Sequence, residues 1–118
     1  MNSDNQSLYF VRRTAVDQLI KEIIAFRDER NWGPHHNPKD LALSLTLEAS
    51  ELLELFQWKT GEEAVRTKQT EIREELADVL IYALTLAHDL NIDVAEAIRS
   101  KMLKNAIKYP RPESSGSV

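Results

Sequence analysis

Four carboxylates in this chain are spaced to act together. Glu48 and Glu51 stand one helical turn apart, and so do Glu75 and Asp78. An i,i+3 interval puts both members of a pair on one helix face. Each pair sits in apolar sequence: Glu48 follows Leu41-Ala42-Leu43-Ser44-Leu45-Thr46-Leu47, and Asp78 precedes Val79-Leu80-Ile81. Acids in such surroundings need a partner. Local sequence offers no cation: no Lys or Arg lies between Lys39 and Lys59, and Arg73 is five residues before Asp78, off its face. A structural salt bridge is the competing account. Four acids gathered between packed helices are held together by protons or metal ions. An all-oxygen set suits Mg²⁺ or Mn²⁺ rather than zinc, and the natural clients of such ions are phosphates. Glu54, Glu62, Glu63, Glu71 and Glu74 read as solvated helix faces. A di-iron bundle would need Glu-x-x-His on two helices. His88 is ten residues past Asp78 and His35 and His36 fall in a loop, so that chemistry is rejected.

Other residues could hold a substrate around such a centre. Trp32 and Trp58, the only tryptophans, each stand at a helix end beside a polar loop, which suits stacking on a base. Tyr82 follows Asp78 at i+4, on the same face, where its hydroxyl could meet sugar or phosphate; a core tyrosine is the alternative. His36 could approach a base from its loop, and Lys59 lies beside Trp58. Lys101, Asn105 and Lys108 share one helix face at i, i+4 and i+7; by spacing alone they form a solvated stripe.

The elements that must carry these residues are helical. Val16, Leu19, Ile20, Ile23, Ile24 and Phe26 recur at 3–4 spacing, which predicts a first helix over roughly Leu8 to Arg30. Asn37, with Pro38 behind it and Asp40 in the first turn, predicts the start of a second helix that runs to about Trp58. That helix is apolar nearly all round, so it is expected to be central and buried. Thr60 and Glu63 fit a capping box for a short helical turn. A third helix is expected from about Thr70 to Leu90, closed by Asn91, and a fourth from the cap Asp93 to about Lys108, stopped by Tyr109-Pro110. No strand pattern or internal repeat is present. The expectation is an all-α, four-helix-bundle-type domain over residues 1–110 with a disordered polar tail over 111–118.

Bulk properties fit this. A chain of 118 residues with 42% hydrophobic and 29% charged residues is an ordinary single globular domain. Its modest length favours oligomerisation as a way to bury long helix faces. A net charge of −4 argues against binding a nucleic-acid polymer through a basic patch. The absence of cysteine excludes disulfides and thiolate sites. The polar start, residues 1–7, lacks a signal peptide's apolar stretch, and the run Val79 to Ala87 is too short to span a bilayer. No membrane association and a cytoplasmic location are expected.

At the paired acids the sequence resembles the all-α nucleoside triphosphate pyrophosphohydrolases, the MazG-like superfamily, whose signature is Glu-x-x-Glu on one helix and Glu-x-x-Asp on the next. Within it the chain looks most like the dCTP pyrophosphatase branch. The carrying segments are Arg30-Asn31-Trp32, His36-Asn37-Pro38-Lys39-Asp40-Leu41, the stretch from Glu51 through Phe56-Gln57-Trp58-Lys59 to Thr60, Glu74 through Asp78 to Tyr82, and Ser100-Lys101-Met102…Asn105…Lys108-Tyr109-Pro110. The connector from Thr60 to Thr70 is shorter than in the animal dCTP enzymes, and Ile23 stands where those carry a histidine. The resemblance implies an all-α dimer, or a tetramer built from dimers. It implies Mg²⁺-dependent cleavage of a nucleoside triphosphate between its α and β phosphates, giving a monophosphate and pyrophosphate. It implies metal ligands Glu48, Glu51, Glu75 and Asp78, with Glu51 or Glu48 also taking the proton of the attacking water. It further implies that Lys101, Asn105, Lys108 and Tyr109 hold phosphates. Two other readings stay open: a non-catalytic helical oligomer that binds a nucleotide or a protein, and a phosphoribosyl-ATP pyrophosphohydrolase of the same superfamily.

Overall fold

The computed structural model describes the backbone of residues 3–113 and the side chains of residues 15–113. Among these described residues five α-helices follow one another: α1 (Ser3–Glu29), α2 (Pro38–Glu54), α3 (Gly61–Thr67), α4 (Gln69–Asp89) and α5 (Val94–Lys108), with a 3-10 turn at Gly33–His35. No strand occurs among the described residues. The tail expected from residue 111 onward is described only to residue 113, and residues 114–118 lie outside the described residues.

The helix starts follow from their caps. Asn37 accepts the Asp40 backbone N–H at 2.9 Å and donates its amide to the Asp40 carboxylate at 2.7 Å. Pro38 fills the first helical position, where no N–H is needed. Thr60 and Asp93 accept the N–H groups of Glu63 and Glu96, each at 3.1 Å. The short turn expected after Thr60 is thus a separate helix, α3.

The ends are equally specific. Asn31 and Asn91 adopt left-handed backbone, with φ of 56° and 55°. Behind them Trp32 N–H reaches Arg27 C=O at 3.2 Å and Ile92 N–H reaches Ala87 C=O at 2.9 Å. Both are Schellman closures with asparagine in the position that glycine often takes. The end of α2 differs. Regular helix stops at Glu54, and Leu55, Phe56 and Gln57 turn more tightly, each N–H bonding the carbonyl three residues back. Trp58 then takes φ of 65°, which reverses the chain.

Packing is concentrated on α4, with α2 lying most extensively against it and α1 and α3 also touching it, whereas α5 makes no comparable contact. Leu41, Ala64, Thr85 and Ala87 are the buried residues among those described. The expectation of a central, buried second helix is therefore corrected for the single chain: Leu43, Leu47 and Leu53 are exposed. The reason is that α2 packs extensively on α4 alone among the described helices, so an all-round apolar surface has mainly one side to bury. On α5, Leu103 is 70% and Ile107 83% exposed. The radius of gyration is 18.4 Å, against about 13–14 Å for a compact chain of this length.

Candidate metal centre and adjoining cavity

The α2–α4 seam brings acids from both helices together. Carboxylate oxygens of Glu48, Glu51 and Glu75 lie within 4.8 Å of one another. Glu48 and Glu75 are partly buried and Glu51 is exposed, so the group opens to solvent on the Glu51 side. One oxygen each of Glu48 and Glu75 (both Oε2) is shut off from solvent with no hydrogen-bond partner. The ion pairs made by Arg27, Arg30, Lys68 and His88 do not reach these acids. Acceptor atoms buried beside other acceptors are costly unless a proton or a cation intervenes.

The titration behaviour reflects this crowding. Burial, then contact with Glu75 and Glu51 and the nearby charge of Asp78, push Glu48 up from 4.5 to about 7. Glu75 is also raised: a proton shared with Glu48 pulls it down, but burial and the Glu51 charge outweigh that pull. A divalent cation would remove the repulsion and occupy the orphaned oxygens. The all-carboxylate set fits a hard ion.

Asp78 is outside the three-acid group and instead lines a cavity of 490 Å³ between α1 and α4. Glu22, Ile23, Phe26, Arg27, Trp32, His36, Ile81, Tyr82 and Thr85 complete its wall. The volume is within the ordinary range for small-molecule sites. Trp32 reaches it because the Schellman closure turns the chain back over α1. Its ring meets Phe26 edge-on, with centroids 5.8 Å apart at 67°, and stays 46% exposed. The Arg30 guanidinium covers Phe26 at 3.5 Å. At one margin, Arg27 Nη1 donates to both oxygens of Asp89 at 3.0 and 2.8 Å, which ties α1 to the end of α4. Burial opposes both charges, yet the pairing prevails: Asp89 is held below the usual carboxylate range, helped by His88 and Arg27, and Arg27 is raised.

The structure thus sets Trp32, His36, Tyr82 and Asp78 around one cavity beside Glu48, Glu51 and Glu75. It places the remaining candidates elsewhere. Trp58 is 92% exposed and, with Lys59, lies outside the cavity wall. Lys101, Asn105, Lys108 and Tyr109 join neither the cavity nor the acid group, and Lys108 Nζ rests 5.3 Å from the Tyr109 ring centre. Sequence reasoning missed Glu22, Phe26, Arg27, Ile81 and Thr85 as wall residues. The i, i+3, i+4 spacing of Ile23, Phe26 and Arg27 marks one helix face, but nothing local distinguished that face as a cavity wall.

Comparison with known proteins gives the family and the fold. Residues 43–117 match the MazG-like family. The dCTP pyrophosphatase 1 of Rattus norvegicus is 43% identical over 97 residues, covering 78% of this chain and 57% of the relative. That of Bos taurus is 40% identical over 113 residues, covering 92% and 67%. The chain therefore spans a little over half the length of the rat relative. The crystal structure of a pyrophosphatase from Archaeoglobus fulgidus superposes with a TM-score of 0.76 at 42% identity, covering 80% of this chain and 92% of that one.

Proposed function

The chain belongs to the MazG-like family, and on that premise we propose that it is a nucleoside triphosphate pyrophosphohydrolase. It would cleave the α–β phosphate bond of dCTP or a related deoxynucleotide, in house-cleaning of the nucleotide pool. The observation that carries the reading is the acid group with its orphaned oxygens, adjoined through Asp78 to a nucleoside-sized cavity. The names of the mammalian relatives and of the archaeal structure support the same activity.

In this reading Glu48, Glu51, Glu75 and Asp78 hold Mg²⁺, with Mn²⁺ as a substitute. The bound ion supplies charge neutralisation for the triphosphate and acidifies water. Glu51, the exposed member of the group, takes the proton of the attacking water, with Glu48 the other candidate. The water oxygen bonds to phosphorus at the α–β bridge, the bridging P–O bond breaks, and pyrophosphate leaves with the electron pair. Trp32 stacks on the base, Tyr82 meets the sugar or phosphate beside Asp78, and His36 closes the cavity from the loop.

The residues that the single chain leaves apart come from a second copy in this reading. The exposed apolar side chains of α2 and α5 and the large radius of gyration support a homodimer or a dimer of dimers. Lys101, Asn105 and Lys108 on α5 and Tyr109 just past its end, together with Lys59 and Trp58, would then reach the phosphates and base of a neighbouring site. Residues 1–110 form the one catalytic domain, acting in the cytoplasm on free nucleotides rather than on nucleic-acid polymers or membranes. Among the described residues no helix is long and apolar enough to cross a membrane.

The test is pyrophosphate release with and without Mg²⁺ across the standard ribo- and deoxyribonucleoside triphosphates, dUTP and 5-methyl-dCTP. Metal-dependent release from a small subset, lost in Asp78→Ala with helicity kept, is the expected result. Silence across the panel would overturn the reading in favour of a non-catalytic binding oligomer or a phosphoribosyl-ATP pyrophosphohydrolase.

A further inference from the structure

Trp32 stands on the cavity wall without a helix under it. Regular α1 ends at Glu29, and Trp32 follows the left-handed Asn31. Its backbone N–H donates to the Arg27 carbonyl at 3.2 Å. Its ring meets Phe26 edge-on and stays half-exposed. Phe26 is itself held by Arg30, whose guanidinium lies over the ring while Nη1 donates to the Phe26 carbonyl at 3.0 Å. All of these contacts lie within the last turn of α1 and the closure behind it. Helix ends fray when nothing pins them, and a frayed last turn would carry Trp32 with it.

Arg27 supplies the pin. From the last turn of α1 its Nη1 donates to both Asp89 oxygens, at 3.0 and 2.8 Å, and its Nε donates to Asp28 Oδ1 at 3.3 Å. The Arg27 and Asp89 side chains are only 12% and 20% exposed, so this pair is screened less than a surface bridge. Asp89 is the last residue of α4, the helix on which packing is concentrated. His88 Nδ1 lies 3.1 Å from the same carboxylate. The loop rests on the guanidinium as well. A methyl group at Gly33, the residue after Trp32, would stand 3.9 Å from Arg27 Nε and 3.5 Å from Asp28 Oδ1. One arginine thus grips α4 with its side chain and Trp32 with its carbonyl.

We propose that Arg27 and Asp89 are positioning residues: their bridge fixes the last turn of α1 on α4 and so holds the Trp32 ring in place at the cavity. The pyrophosphohydrolase reading enters only for what Trp32 does to a substrate there. Arg27 lines the cavity and Asp89 does not, so a change at Asp89 reaches a bound ligand through the bridge. Glu48, Glu51 and Glu75 sit on α2 and α4, and their grouping owes nothing to α1. Loss of the bridge therefore weakens capture of the substrate and spares turnover of what is bound.

The test has two arms, both on the full chain. With Trp58→Phe in place, Trp32 is the sole tryptophan, and acrylamide quenching of its fluorescence reads its exposure with no nucleotide present. Asp89→Asn keeps the size and removes the charge. Circular dichroism checks the fold; should Asp89→Asn not fold, Arg27→Gln is read in the same way. The expected result is a quenching constant about 1.5- to 2-fold higher, as a ring that is 46% exposed comes loose. An unchanged constant in the folded variant overturns the proposal. The second arm measures KM and kcat with Trp58 intact. Asp89→Asn should raise KM about threefold or more with kcat within about twofold, yet add no more than about 1.5-fold to KM in a Trp32→Ala chain. A rise of equal size in both backgrounds overturns the proposal, because Asp89 would then act without Trp32. A chain that releases no pyrophosphate would sink the hydrolase reading, and the quenching arm alone would decide whether the bridge holds Trp32.

Discussion

Replacing Glu48 by glutamine should make the metal-free protein more stable at neutral and alkaline pH, although it removes a proposed metal ligand. Glu48 titrates near 7 in the folded chain, against an ordinary value of 4.5, because burial and its acidic neighbours disfavour the charge. The folded state therefore holds a proton that the unfolded state gives up. The stability this proton contributes is fully present below about pH 4.5 and is lost as pH rises through about 7. At about 1.36 kcal/mol per pH unit, the step amounts to about 3 kcal/mol at most, and to about 1–3 kcal/mol once solvent screening at the open Glu51 side is allowed for. A glutamine amide at this position would mimic the protonated carboxyl at every pH. Urea unfolding at fixed protein concentration, in chelator, from about pH 5 to pH 8 measures the effect. The wild type should lose stability along that series and Glu48→Gln should lose less, so that the variant is the more stable protein at the upper end. Added Mg²⁺ should then stabilise the wild type increasingly as pH rises, by mass action on the ionised site, and the variant far less. A wild-type profile that is flat in chelator, or a variant less stable than wild type at about pH 8, would show that the acid group is not strained in the way its geometry indicates.

Three further outcomes follow from the same structure. Glu51→Ala and Lys101→Ala subunits, each inactive alone, should recover about one quarter of wild-type pyrophosphate release when mixed and allowed to exchange, since half of the dimers are then mixed and each has one intact site; no recovery would place Lys101 outside a shared site. Arg27→Met leaves Asp89 without its bidentate partner and should cost about 2–4 kcal/mol in urea unfolding, and Asp89→Leu in the same chain should restore much of it; an unchanged midpoint would mean that this bridge does not clamp α1 to α4. Trp32→Ala should raise KM for the preferred nucleotide about tenfold or more with kcat within about twofold, as expected for a lost stacking face; a collapse of kcat with unchanged KM would contradict that role.

Legibility in the sequence followed the range of the interactions. Caps act over three residues, so Asn37, Thr60 and Asp93 announced their helices, and Asn91 its closure. The pairing of acids on two apolar helices was equally local, which is why Glu48, Glu51, Glu75 and Asp78 could be grouped before the fold was known; the structure gathers the first three and sets Asp78 on the cavity wall. What depends on distant chain was hidden. Arg27 and Asp89 are separated by 62 residues, and neither bears a mark that names the other. The cavity shares this property, since it exists only where α1 crosses α4. The burial of α2 was misjudged for a related reason. An all-round apolar helix states that it must be covered but not by what, and in the single chain Leu43, Leu47 and Leu53 remain uncovered. The tight turn that ends α2 before Trp58 was also out of reach, because Leu55, Phe56 and Gln57 have good helical propensity and the departure comes from the backbone reversal at Trp58.

That reversal carries a consequence for how the chain tolerates variation. Three described residues other than glycine hold positive φ: Asn31, Trp58 and Asn91. Asparagine visits this region at little cost, whereas a bulky aromatic is strained there by about 1 kcal/mol or more. The Trp58 ring, almost wholly in solvent within the chain, repays none of that strain by packing. In a library of variants sorted only for resistance to unfolding, Gly and Asn should accumulate at position 58; in the same library sorted for turnover of nucleotide they should disappear. Positions 31 and 91 should show no such reversal. The sign of selection at one strained tryptophan would then separate what this chain keeps for folding from what it keeps for work.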